Sequence, residues 1–154
     1  MPLSPFKVNA FLMLKLPAAF LCGVRVRSIE NDSAVTSAPT KWISKNPFGS
    51  MYFAVQAMAA ELSTGILVMR HIRQAGLPFS MLVTQLQAEY LKRATGKVQF
   101  CCKQGDLVMT AVQDSINGEP QVVELLSEGK DTSGEVVSRH RITWSIKAKQ
   151  PLKS

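Results

Sequence analysis

Apolar residues recur along this chain at two spacings, and the spacing changes near Pro78. Residues 50–69 carry Met51, Phe53, Val55, Met58, Leu62 and Ile66 with alanines between them, and Glu61 is the only charge. Apolar side chains on almost every face predict a helix buried almost all round. Ser50 is placed to cap it or its first turn. Residues 70–76 continue or end it, with Arg70 and Arg73 suited to its dipole, and Gly76-Leu77-Pro78 stops it. From Phe79 the period is two. Residues 79–92 read as a long strand, with 97–103 as its partner across the Ala94-Thr95-Gly96 turn. Residues 120–128 and 135–147 read as two further strands around a turn at 129–134. Residues 105–117 fit a short amphipathic helix, although Val108, Thr110 and Val112 also suit a strand. Upstream, residues 24–29 alternate, and 34–40 return as a hairpin mate past Asn31-Asp32-Ser33.

Residues 5–23 are apolar but interrupted by Lys15 and Pro17. The uninterrupted runs fall short of the roughly 18 residues a spanning helix needs. No clean small-x-small cleavage site follows them. The segment reads as a helix that docks Phe6, Phe11, Leu14 and Phe20 on the body. The division is therefore one domain over 1–154, with an N-terminal helix at 1–23, a core at 24–148 and a frayed tail at 149–154. One buried helix followed by a meander predicts an α+β fold, its antiparallel sheet wrapped around that helix.

Composition narrows the class. Of 154 residues, 46% are hydrophobic and 19% charged, which excludes a disordered charged tail. Three cysteines are too few for a disulfide scaffold and point to reduced thiols in a reducing, cytoplasmic setting. Adjacent Cys101 and Cys102 fall on opposite faces of a strand, so no metal site is expected. The net charge of +7 favours anionic partners: nucleic acid, phosphates, acidic carrier proteins or membrane surfaces. The cations are scattered and not interleaved with aromatics, which places nucleic acid last.

Three segments carry a family resemblance. Asn46-Pro47-Phe48-Gly49-Ser50 leads into a helix with Ala57-Met58-Ala59-Ala60-Glu61. The stretch from Gln87 to Val98 follows with Lys92-Arg93-Ala94-Thr95-Gly96, and Ser133-Gly134-Glu135 opens the run up to Trp144. In this order they resemble the hotdog-fold superfamily of acyl-thioester enzymes. The likeness is greatest to a branch of small bacterial proteins of unknown function related to thioesterases of phenylacetate breakdown. The resemblance implies a homodimer whose sheets join edge to edge, or a tetramer of two such pairs. It implies an acyl tunnel between subunits and an acyl-CoA or acyl carrier protein thioester as substrate. Coenzyme A then enters as part of the substrate, and no separate cofactor is expected.

Thioester hydrolysis needs an oxyanion site and a group that activates water. Gly49 and Ser50 stand where a helix N-terminus would offer backbone N–H groups. The related enzymes place an acid about two turns into the helix, where this chain has Gln56-Ala57. Glu61 is a turn further on. Twelve residues separate it from Gly49, roughly 18 Å along a helix, too far for both to serve one thioester within a single subunit. A lone carboxylate on an apolar helix is a general base or nucleophile, or else is paired with a cation or the hairpin. Asn46 positions water or a carbonyl, or holds the Asn-Pro turn. Tyr52, Gln56, Lys92 and Arg93 are candidate substrate contacts, the last two toward the phosphates of coenzyme A. Ser63 and Thr64 are expected to bond back to the helix, and His71 and His140 to lie at a surface or interface. Three further readings stand beside hydrolysis: a non-catalytic acyl-binding or assembly protein, an enoyl-thioester hydratase or dehydratase, and a basic nucleic-acid module.

Overall fold

The computed structural model describes residues 3–149. Its elements run α1 (Pro5–Lys15), α2 (Pro17–Leu21), β1 (Arg25–Ile29), β2 (Ala34–Pro39), α3 (Phe53–Ala75), β3 (Phe79–Tyr90), β4 (Lys97–Cys102), α4 (Gly105–Asp114), β5 (Gln121–Lys130) and β6 (Val136–Ala148). The strands form one antiparallel sheet in the order β1-β2-β4-β5-β6-β3. It packs around α3, and α4 covers part of the helix. Ala59, Ala60, Leu67 and Val68 of α3 are fully buried against Val98, Phe100, Leu125 and Ile142 from the strands.

Two small features let helix and sheet approach. A Cβ at Gly65 would stand 3.1 Å from the Trp144 ring, so the bare backbone makes room for the indole. Trp144 Nε1 then donates to Thr64 Oγ1 at 2.9 Å. Ser63 and Thr64 do bond back to the helix, to the carbonyls of Ala60 and Glu61. The helix ends as its residues predict, with Gly76 left-handed at φ +70°.

Four expectations change. β3 and β4 are not a hairpin: β3 pairs along its length with β6, while β4 lies between β2 and β5. The Leu91 and Lys92 amides both donate to the Val137 carbonyl, so the chain runs on along β6 before crossing inward. The N-terminal segment is two helices, broken at Pro17, which cannot continue a hydrogen-bonded helix. Its body-facing residues are Val8 and Leu12, whereas Phe6, Phe11 and Leu14 are exposed and Phe20 is half-buried. α3 starts at Phe53, with Tyr52 as N-cap, three residues later than Ser50. The two histidines are buried within the chain and not at its surface. His71 Nε2 lies 2.8 Å from the Asn31 carbonyl, joining the end of α3 to the first hairpin turn. Of the expected tail, Lys149 bonds to the Pro78 carbonyl, and 150–154 lie outside the described residues.

The two sheet edges differ. β1 is closed by Asn9 of α1, whose amide accepts from Val26 N at 2.8 Å and donates to Val26 O at 3.0 Å. One side chain thus completes a ladder step that a further strand would otherwise take. β3 borders only β6. Asn9→Leu leaves both Val26 groups without their partners; about 2 kcal/mol of stability should go, read as a lower denaturant midpoint. An unchanged midpoint would show that water replaces the amide at no cost.

Candidate functional site

The loop from Lys45 to Met51 closes on itself. Lys45 and Met51 bridge, and Asn46 N donates to the Ser50 carbonyl at 2.8 Å. The Asn46 side chain occupies the middle: Oδ1 accepts from Phe48 N and Ser50 N, and Nδ2 donates to Ser50 Oγ. Gly49 takes a left-handed conformation at φ +82° and donates its N–H to the Asn46 carbonyl. The Gly49 and Ser50 amides, expected as carbonyl-polarising donors, are therefore spent inside this turn. The reason is the later helix start.

The free donors lie further along. Phe53 and Ala54 open α3, and their N–H groups have no partner among the described residues. Residues 46–56 and 90–94 enclose a cavity of about 550 Å³ beside this helix end. It brings together Asn46, Ser50, Tyr52, Gln56, Lys92 and Arg93 of the predicted set. Gln56 is 4% exposed, and its Oε1 has no partner among the described residues. Such an acceptor is costly to leave unmet. Two of the cations are already engaged. Lys92 is paired with Asp131 and Glu135, and Arg93 donates to the Phe48 carbonyl. Their first work is to fix the loop and the turn.

Tyr90 and His140 were not singled out as site residues from the sequence. The Tyr90 hydroxyl borders the cavity, 3.3 Å from the Phe53 carbonyl and 3.3 Å from His140 Nε2. His140 is wholly buried between the rings of Tyr90 and Phe100, and burial lowers its pKa to about 4. Its Nδ1 is buried without a partner. We assign the neutral ring's proton to Nε2, since a proton on Nδ1 would be an orphaned donor. Nε2–H then donates to Tyr90, whose own proton is left for Phe53 O or for a guest in the cavity. A sequence signal existed: Tyr90 and His140 both fall at apolar beats of their strands.

Glu61 lies elsewhere. It lines a separate, mostly apolar cavity of about 170 Å³ between α1, α3 and the sheet, walled by Phe11, Leu12, Ile66, Met81 and Trp144. Burial raises its pKa above the usual carboxylate range. Lys7 and Arg73 line the same cavity, but among the described residues no ion pair reaches Glu61. Among the described residues, no three His, Cys, Asp or Glu side chains are grouped to hold a metal.

The sequence profile of a domain of unknown function, DUF4442, matches residues 7–146. The chain belongs to the DUF4442 family. No curated protein matches it. Solved structures similar to this DUF4442 chain include a Pseudomonas aeruginosa protein of unknown function called a probable thioesterase, at 20% identity and TM-score 0.81, covering 97% of this chain and 99% of that one. A thioesterase from Haemophilus influenzae is 15% identical at TM-score 0.72, covering 100% and 97%. A Staphylococcus aureus thioesterase, solved as a variant, is 18% identical at TM-score 0.59, covering 82% and 95%. The fold is the hotdog fold of thioesterase-like proteins.

One buried and one half-buried group give this DUF4442 protein opposed pH slopes. His140 is neutral when folded but titrates at its ordinary 6.5 when unfolded. Acid therefore favours the unfolded chain, and about 3 kcal/mol is lost as pH falls from 6.5 to 4. Glu61 acts oppositely: the unfolded carboxyl ionises first as pH rises, so its contribution falls above 4.5. Urea titrations from pH 4 to 8 should show His140→Asn flattening the acid slope and Glu61→Gln raising stability at pH 7. A parallel acid slope in His140→Asn would remove this assignment.

Proposed function

We propose that this protein hydrolyses acyl thioesters carried by coenzyme A or an acyl carrier protein, in sites shared by two copies. The observation that carries the reading is the α3 N-terminus. Two N–H groups without a partner among the described residues, of Phe53 and Ala54, stand at the helix start, where Phe53 lines the cavity with Tyr90 and the unmet Gln56 acceptor. Such donors stabilise the oxyanion that forms when a thioester carbonyl is attacked. Glu61 is the base: burial makes its carboxylate a better proton acceptor, and it faces an apolar cavity suited to an acyl chain.

One chain does not bring these groups together. Eight residues of helix separate Phe53 from Glu61, about 12 Å at 1.5 Å per residue. The open β3 edge supplies the remedy. Leu82, Leu86 and Tyr90 are exposed along it, and a second copy paired there forms a homodimer with a continuous sheet. Glu61 of one copy then serves the thioester held at the helix end of the other. It takes a proton from water, the hydroxide adds to the carbonyl carbon, and the C–S bond breaks as the thiolate is protonated. Spacing adds support. The Staphylococcus aureus protein has been solved with alanine for a glutamine and with alanine for a glutamate fifteen positions later. Asn46 and Glu61 are likewise fifteen apart, Asn46 having one amide N–H beyond that given to Ser50.

A second reading, acyl binding without turnover, draws on the turn that consumes the Gly49 and Ser50 amides. Thiol release from a panel of acyl-CoA and acyl carrier thioesters separates the two. We expect turnover by the wild type and a loss of about a thousandfold in Glu61→Ala. Tyr90→Phe should lower kcat about tenfold. Gln56→Leu should be inactive, yet mixing it with Glu61→Ala should restore activity through hybrid dimers. Binding without turnover on every thioester would favour the second reading.

A further inference from the structure

The cavity beside Glu61 has a definite size and direction. Glu61, Gly65, Met69 and Arg73 all line it, and steps of four set them in one row along α3. The cavity therefore follows the helix. Phe11 and Leu12 of α1 form one side, and Met81 and Trp144 of the sheet form another. Lys7, Glu61 and Arg73 are its charged residues, and the rest of the lining is apolar or glycine. Gly65 keeps the row open. A Cβ there would stand 3.1 Å from the Trp144 ring and 3.6 Å from Glu61 Oε1, so a side chain would press between indole and carboxyl.

Volume decides what can enter. An apolar cavity of about 150 Å³ stays dry and takes a guest of about six carbons, such as benzene. This one measures about 170 Å³. Its lining in a row suits a straight chain better than a ring.

We propose that the Glu61 cavity selects straight acyl tails of about six carbons, with Met69 at the far end. The proposal rests on the thioester reading above and names its substrate class. The carbonyl end stays by Glu61, and the tail runs along α3 past Gly65. The flexible Met69 thioether closes over the last carbons, and a longer tail has no room.

Trp144 reports on this cavity directly. It is 4% exposed, whereas Trp42, the other tryptophan, is 88% exposed. In Trp42→Phe the tryptophan fluorescence comes from the cavity wall alone. Titration of that variant with straight-chain alcohols from butanol to decanol measures the room without any turnover. Affinity should rise about fourfold per methylene as far as hexanol, then level off or fall. Adding Met69→Ala should move the break outward by about two carbons, with thermal melting to show that the fold is kept. Thiol release from a series of acyl-CoA thioesters should peak at the same length as the alcohols. A rise unbroken to decanol, no response to any alcohol, or a break that Met69→Ala leaves in place overturns the proposal. A break at hexanol without cleavage of any thioester supports the cavity's selectivity and removes the hydrolase reading. Cleavage that peaks well beyond six carbons overturns the selectivity and leaves the hydrolase reading standing.

Discussion

A 23-residue helix with one carboxylate between Phe53 and Met69 cannot stand in water, and covering it sets most of the architecture. Each apolar side chain buried contributes roughly 1.5–3 kcal/mol, so every uncovered face of α3 is a large loss. Six strands supply most of the cover and α4 part of the rest. Along it the cover is uneven. Ala57, Met58 and Glu61 are half-buried, the larger cavity lies at the first turn, and the smaller runs beside Glu61 to Arg73. The candidate chemistry therefore sits where burial of the helix is incomplete.

Much of this was legible in the residues. The all-round apolar pattern gave α3, the period of two gave the later strands, and Gly76 marked the helix end. Pairing was not legible. Residues 79–92 and 97–103 look like a hairpin because a short Gly-containing turn separates them, but the open side of β6 outcompetes that local closure. A three-residue error at the helix start had larger consequences. Asn46 binds Ser50 through its side chain and backbone, a contact invisible to helical periodicity, and it moves the free N–H groups from Gly49 and Ser50 to Phe53 and Ala54. The sequence therefore marked residues that the fold gathers around one cavity, but not the turn that engages the Gly49 and Ser50 amides.

Buried polar groups show where the fold tolerates cost. Gln56 Oε1, His140 Nδ1 and Ser138 Oγ are buried without partners among the described residues. The first two stand at or just behind the larger cavity, where an unmet acceptor and a neutral histidine are of use to a guest that brings its own donors or carbonyl. Ser63 and Ser127, equally buried, satisfy one another at 2.7 Å. The contrast argues against careless packing as the explanation, because the same core pairs its hydroxyls elsewhere. His140 stands between Arg139 and Arg141, which suggests a surface or interface position. In a strand those neighbours point to the other face, and their charges say nothing about the residue between them.

α1 serves three surfaces at once, and its composition follows from that. Asn9 closes the β1 edge, Phe11 and Leu12 wall the Glu61 cavity, and Phe6 and Leu14 face outward. A helix with only a core-facing duty would carry a polar outer face. Its outward apolar face and the cavity lie on two sides of the same 11-residue helix. Placing Glu61 there has a cost, since its carboxyl is held uncharged more readily than in water. That cost is consistent with the position being kept for chemistry and not for stability, because an apolar residue at the same point would pack without it.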